Sequence, residues 1–309
     1  MGRVIVDSTP LTATDVFTTR KKPICTVRSG DELLVSTLDA SGSLRRHSFP
    51  GEKVETLLPD RRGHCLVGPI EVIGAEVGTV LAVSFLALTP SSWGWTAAGV
   101  LDNELNRRLQ VLKEGPRWLL WSIDTGTQLA TNQFRISRKI APFLGVVGMP
   151  PDSEEEYSTI PPRTKGAGNI DCKELVAGST LYIPVTVPGA MLCLGDGHAA
   201  QGDGEVSGTA IECAMTSHIK IEVLKEAPID AVHAVTPKGR LTFGFDPDLN
   251  VAMADALYHM VTWMQEIYSL SRAEALALGS SCVDLRITQV ANVSFGVHAL
   301  LDESPLLLR

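Results

Sequence analysis

Residues 179–194 read Ser-Thr-Leu-Tyr-Ile-Pro-Val-Thr-Val-Pro-Gly-Ala-Met-Leu-Cys-Leu. Residues 180–187 are dense in β-branched and aromatic side chains, which suit a pleated, half-buried surface. Pro188-Gly189 supplies a turn, because proline presets φ and glycine tolerates positive φ. Residues 190–194 are apolar again. The stretch predicts a β-hairpin, with Pro184 marking an edge strand or a bulge since it cannot donate to a ladder.

The same pattern extends outward. Residues 209–216 and 219–224 read as strands, and Ile219, Ile221 and Val223 alternate with Lys220 and Glu222. Upstream, residues 32–38, 69–72 and 80–88 are short strand-like runs, with Gly74 and Gly78 between the last two. Residues 101–113 suggest a short helix that Gly115-Pro116 would end. Short runs separated by frequent turns favour an all-β sandwich or barrel over βαβ units. Helical spacing is strong only late, at Val251, Ala254, Leu257, Tyr258, Val261, Met264, Ile267 and Tyr268. Ser271 and Glu274 form a capping box for a second helix, stopped at Gly279, and residues 284–290 alternate as a final strand. Residues 150–165 form a loop with Pro150-Pro151, the acidic run Glu154-Glu155-Glu156 and Pro161-Pro162. The loop divides a β-rich part, residues 1–150, from residues 151–309, the two expected to intertwine in one catalytic unit. The acidic run reads as a solvated face.

The chain has 309 residues, 27 Lys+Arg against 35 Asp+Glu and a net charge of -8. It is long enough for a large core without metal or disulfide staples. Its acidic balance argues against nucleic acid and anionic membranes as partners, both of which want a basic patch. No signal peptide and no run of about 20 apolar residues is visible, so a cytoplasmic protein is expected. Six scattered cysteines without CxxC spacing then read as reduced, mostly buried thiols. Cys172, beside Asp171, is the one placed to be a thiol nucleophile.

The densest chemistry follows the quoted stretch: Gly195-Asp196-Gly197-His198-Ala199-Ala200-Gln201-Gly202-Asp203-Gly204-Glu205. Its glycines allow sharp turns and close approach. Asp196, His198, Asp203 and Glu205 suit a divalent cation, and a mixed N/O set fits zinc or manganese better than a purely oxygen-loving ion. Asn169 and Asp171 would share one side of an extended segment. His64, before Gly68-Pro69-Ile70, is a further candidate.

These residues carry a resemblance. The string Gly168-Asn169-Ile170-Asp171, residues 179–185 and residues 195–205 resemble the acetamidase/formamidase family. So do His64 with Gly68-Pro69-Ile70, residues 141–148, and the tail around Asp284-Leu285-Arg286-Ile287. The resemblance implies a mainly β architecture, with β-sandwich and β-barrel-like parts and a smaller α/β portion near the C-terminus. It implies hydrolysis of a short carboxamide to a carboxylate and ammonia, and a homo-oligomer. In that reading Asp171 and His198 ligate the metal, with His64 as a further ligand. Asp196 or Asp203 is a ligand or orienter, Glu205 the general base, and Asn169 the holder of the substrate amide. Zinc is the expected ion, with calcium or manganese as alternatives. Residues 90–130 depart from the family pattern, gathering Trp93, Trp95, Trp118 and Trp121. If they line the pocket, the substrate is bulkier or more apolar than formamide. A lactam, an aromatic amide or another C–N bond is then the alternative substrate, and a non-catalytic member of the fold the alternative class.

Overall fold

The computed structural model describes residues 3–304 and 306. The fold is mainly β. One sheet has nine strands, in the order Arg3–Asp7, Glu32–Thr37, Met215–Leu224, Val80–Pro90, Thr180–Pro184, His233–Thr236, Gly239–Asp246, Phe295–Leu301 and Val283–Gln289. All its neighbours are antiparallel except the first pair. An eleven-stranded sheet runs from Ser137–Lys139 through Leu129–Asn132, Arg117–Asp124, Trp93–Ala98, Glu212–Cys213, Leu192–His198 and Phe143–Gly148 to Ala167–Asn169. Strand Leu66–Ile73 branches off Leu192–His198. Both sheets draw strands from either side of residue 150.

Alternation explains how the sheets meet. In Glu32–Thr37 every second residue is buried, and Leu33 and Val35 join Phe85, Ile219, Phe143, Leu144 and Leu194 in one core fed by both sheets. Full burial of such a side chain contributes about 1.5–3 kcal/mol. The long helix Leu249–Tyr268 is capped by Asp248, whose side chain accepts from the Asn250 N–H at 2.8 Å. Its Ala252, Ala256, Met260 and Met264 recur every fourth residue and lie against strands Gly239–Asp246 and Phe295–Leu301. Gly244 permits that contact, since a Cβ there would run into the Ala252 carbonyl. The capping box of helix Arg272–Gly279 is formed as its sequence specifies.

Four local readings are corrected. Residues 180–194 do not form a hairpin: Thr180–Pro184 lies in the nine-stranded sheet and Leu192–His198 in the other. Gly189, Ala190 and Met191 take successive φ values of 75°, 57° and 54°, which send the chain across to the second sheet. Pro184 is not on an edge. Its strand is flanked on both sides, but the ladder to His233–Thr236 ends at Tyr182, so the missing N–H costs nothing there. The segment 101–113 splits into helix Glu104–Arg108 and the 3-10 turn Val111–Glu114, broken by Gln110 at φ 58°. The last strand is Phe295–Leu301, not residues 284–290. Helix Leu249–Tyr268 covers it, so Gly296 to Leu301 are all buried and no alternation shows.

Candidate active site

Strand Leu192–His198 is the spine of the site. It is buried along its whole length, and its far end carries Asp196 and His198. His198 is opposite Phe143 on one side and Glu212 on the other. The Phe143 ring meets the imidazole edge-on at 5.0 Å. Asn169 ends strand Ala167–Asn169, and the Ile170 and Asp171 N–H groups both donate to the Gly145 carbonyl, which turns Asp171 inward. Gly145 keeps the space open: a Cβ there would fall 2.5 Å from Asp171 Oδ1 and closer still to Asp196 Oδ2. Asp171, Asp196 and Glu205 have φ of 52°, 60° and 42°. Such left-handed backbone costs a non-glycine residue about 1–3 kcal/mol and clusters at functional sites.

Both imidazoles are oriented from behind. His64 Nδ1 lies 3.0 Å from Thr159 Oγ1, leaving Nε2 at 3.8 Å from Asp196 Oδ2. Gln201 Nε2 donates to the Asp171 carbonyl at 2.7 Å, which fixes that amide. Gln201 Oε1 therefore accepts from His198 Nδ1 at 3.0 Å. His198 Nε2 is then directed at Asp196 Oδ1, 3.5 Å away, and Glu212 Oε1, 3.3 Å away. An unprotonated Nε2 facing two carboxylates is repulsive unless a proton or a cation lies between them.

The charge balance agrees. Burial pushes the Asp171 and Glu205 carboxyls well up, and the neighbouring carboxylates add to it. Burial also lifts Glu212, to about 6. Burial opposes ionisation of Asp196 too, but His64 and His198 outweigh it and hold Asp196 low. Burial works against a charged His198, yet Glu212 and Asp196 push its pKa well up. His64 is lowered, chiefly by burial.

The donor set fits a divalent cation. Ligand atoms of Asp171, His198 and Glu205 lie within 4.8 Å of one another, as do those of Asp196, His198 and Glu212. Among the described residues no hydrogen-bond donor reaches either Asp171 side-chain oxygen, Glu205 Oε2 or Glu212 Oε2, although all are buried. Each such unmet group costs about 1–3 kcal/mol, and one cation would answer several.

Above this cluster opens a cavity of about 410 Å³. Its lining includes His64, Asn169, Asp171, Asp196, Glu205 and Glu212. The structure thus brings together six of the residues singled out in the sequence: His64, Asn169, Asp171, Asp196, His198 and Glu205. It does not bring Asp203. That carboxylate turns away to Lys173 Nζ at 2.8 Å, with Arg286 at 3.9 Å. Glu212 takes a place the sequence reading left empty. The available signal was one acid inside the apolar run Ala210-Ile211-Glu212-Cys213-Ala214-Met215. Cys172 does not line the cavity. Its thiol faces Glu174 Oε2 at 3.7 Å outside the cavity, and burial, then Glu174, pushes its pKa well up. Of the tryptophans, Trp95 and Trp118 line the cavity, whereas Trp121 donates from Nε1 to Thr96 Oγ1 at 3.0 Å on the other side of the sheet. The acidic run meets the surface, where Glu156 pairs with Arg62 at 2.6 Å.

A buried carboxylate–imidazole cluster that opens onto a cavity marks a candidate functional site in this mainly β fold. The acetamidase/formamidase family model matches residues 153–301 of the chain. The chain is similar to an acetamidase of Bacillus halodurans of known structure, at 26% identity with a TM-score of 0.85, covering 98% of this chain and 97% of that one. It is 26% identical to a formamidase of Methylophilus methylotrophus over 87% of this chain and 83% of the relative. An inferred formamidase of Schizosaccharomyces pombe is 28% identical over 66% of this chain, which spans 62% of that relative's length.

Proposed function

We propose that the protein is an amidohydrolase that adds water to a linear carboxamide and releases a carboxylate and ammonia. The observation that carries this reading is the cluster of four carboxylates and two oriented imidazoles beneath an open cavity, in the fold of this family. Asp171, Asp196, His198 and His64 would hold a divalent ion, zinc by their mixed N/O chemistry with calcium or manganese as other fits, which when bound supplies Lewis-acid polarisation and acidifies water. Asn169 lines the cavity with a buried Oδ1 that has no partner among the described residues and would accept from the substrate amide N–H. Glu205 Oε2 has no hydrogen-bond partner among the described residues, and its carboxyl, ionised once a cation is bound beside it, would take a proton from water and return it to the departing nitrogen. Gln201 orients His198 through Nδ1 and leaves Nε2, 3.3 Å from Glu212 Oε1, to face the ion. A neutral amide needs no electrostatic steering, so the net charge of -8 is no obstacle.

The reading includes a homo-oligomer in the cytoplasm, supported by the family resemblance and by the frequency of symmetric assembly among soluble enzymes. No helix among the described residues is long and apolar enough to cross a membrane. The test is ammonia release over a panel of linear amides, with metal analysis of the purified protein and its mass measured by light scattering. Turnover with a bound divalent metal is the expected result. A metal-free protein inert toward every amide would overturn the assignment.

A further inference from the structure

We propose that the cavity selects carboxamides with an aromatic or similarly bulky apolar acyl group, in preference to formamide and acetamide. This rests on the amidase reading above and narrows its substrate class. Three observations carry it.

The first is size. About 410 Å³ falls within the roughly 300–1,000 Å³ of pockets that enclose drug-sized ligands. A formamide held at the carboxylates would leave most of that volume to water. The second is chemical make-up. The buried carboxylates share the cavity with Trp95, Ala97, Val100, Leu101, Trp118 and Ile160, and Arg61 is the one cationic side chain on its lining besides the histidine. Val100 and Leu101 are each 53% exposed, apolar surface that an acyl group reaching outward would cover. Removing such surface from water is favourable in proportion to its area. The third is rigidity. Trp95 is buried, and its Nε1 donates to Asp39 Oδ2 at 2.8 Å, while Asp39 Oδ1 accepts from the Ser43 N–H at 2.9 Å. The Trp118 ring is held 4.8 Å from Trp95 and 5.6 Å from His47. A wall of fixed aromatic rings loses little freedom on binding, which favours a flat partner. Acetamide offers a single methyl group and cannot meet the carboxylates and the wall together.

The experiment compares kcat/KM for acetamide, benzamide and phenylacetamide in the wild-type protein and in Trp118→Ala and Leu101→Ser. One methylene in an apolar pocket is worth about 10–200-fold in discrimination. The wild type should therefore favour at least one aryl amide over acetamide by about tenfold or more. Trp118→Ala should lower that preference by about tenfold, chiefly through KM, and the exposed Leu101→Ser should move it the same way without threatening the fold. Equal or better kcat/KM on acetamide overturns the proposal and leaves the amidase reading standing. So does a variant that slows all three amides alike. If no amide is turned over, the amidase reading fails, and the pocket is read separately by titrating phenylacetamide into the protein and following tryptophan fluorescence. Saturable quenching that Trp118→Ala abolishes supports an aryl-binding pocket, and its absence overturns it.

Discussion

Asp171 and Cys172 are neighbours in the chain but belong to two different buried clusters, each with a glutamate and a histidine. Asp171 joins His198 and Glu205, and Cys172 joins Glu174 and His298. In the second cluster the Glu174 carboxylate is answered by two cations, and His298 Nε2 is the one ring or carboxylate atom left without a hydrogen bond among the described residues. Glu174 takes Lys238 Nζ at 3.3 Å and Arg286 Nη1 at 3.4 Å, and it faces His298 Nε2 at 3.8 Å. His298 Nδ1 meets Thr288 Oγ1 at 2.8 Å, and none of the three residues lines the cavity. The first cluster continues through His198 into Asp196, Glu212 and His64, so that four carboxylates face two imidazoles, several oxygens have no partner among the described residues, and a cavity opens onto them. The histidines register the difference. Burial pushes His298 down to about 4, whereas Glu212 and Asp196 overcome burial and push His198 up. Ionisable groups in the interior do not by themselves mark a site. Uncompensated charge at a cavity does.

The largest effects should separate the clusters by kind. Glu205→Gln should lower amide kcat by about 10²–10⁴-fold, the usual worth of a positioned acid–base group, and leave the unfolding midpoint nearly unmoved. Glu174→Ala should do the reverse. It leaves Lys238 and His298 without their carboxylate and Arg286 with only Asp284 and Asp203, and breaking a buried pair costs about 3–5 kcal/mol. Because Lys238 and Arg286 are 59% and 31% exposed, about 2–3 kcal/mol is expected. Urea unfolding and steady-state kinetics on both variants check this. A stable but inactive Glu174→Ala would erase the distinction.

How much of this could be read from residues alone follows from the same contrast. The segment from Gly195 to Glu205 was legible because four glycines and four chemical groups crowd into it, and it delivered Asp196, His198 and Glu205 to the site. Asp203 misled because spacing assumes extended backbone. Gly204 at φ 93° and Glu205 at φ 42° reverse the chain, so residues two apart face different surroundings. Glu212 was hidden because only sheet register sets it opposite His198. The alternating strands were visible, but which sheet each joins depended on the left-handed turn at Ala190 and Met191, two residue types that give no sign of it. Trp95 and Trp118 stood out as aromatic, yet their place over the site comes from the pairing of Trp95 with Glu212 and of Trp93–Ala98 with Arg117–Asp124.

A smaller effect is expected from His298 and pH. Its folded pKa of about 4 lies below the roughly 6.5 of an unfolded histidine. Between those values the unfolded chain binds the proton and the folded chain does not, so stability falls as pH drops through that window. The size is about 1–3 kcal/mol at the acid end. His298→Asn should flatten the fall in urea unfolding free energy between about pH 6.5 and 4 by that amount. An unchanged slope would mean that His298 is charged like His198, and the two clusters would no longer differ in this respect.

The smallest effect tests the boundary between the clusters. Cys172 follows Asp171 directly, so a thiol nucleophile there is the most direct rival to water as the attacking group. Its Sγ is fully buried, faces Glu174 Oε2 at 3.7 Å, and is held as the thiol by burial and by that carboxylate. The thiolate is the reactive form, and a thiol with a raised pKa in a closed environment is inert. Cys172→Ala removes one small buried sulfur and one weak S–H contact, at a cost of about 1 kcal/mol. Amide turnover should stay within about twofold of wild type, and iodoacetamide should leave the wild-type rate unchanged over hours at neutral pH. A loss of about 10³-fold in Cys172→Ala with the unfolding midpoint intact would transfer the chemistry from Asp171's side of the peptide bond to that of Cys172, and water activation at the carboxylates would have to be abandoned.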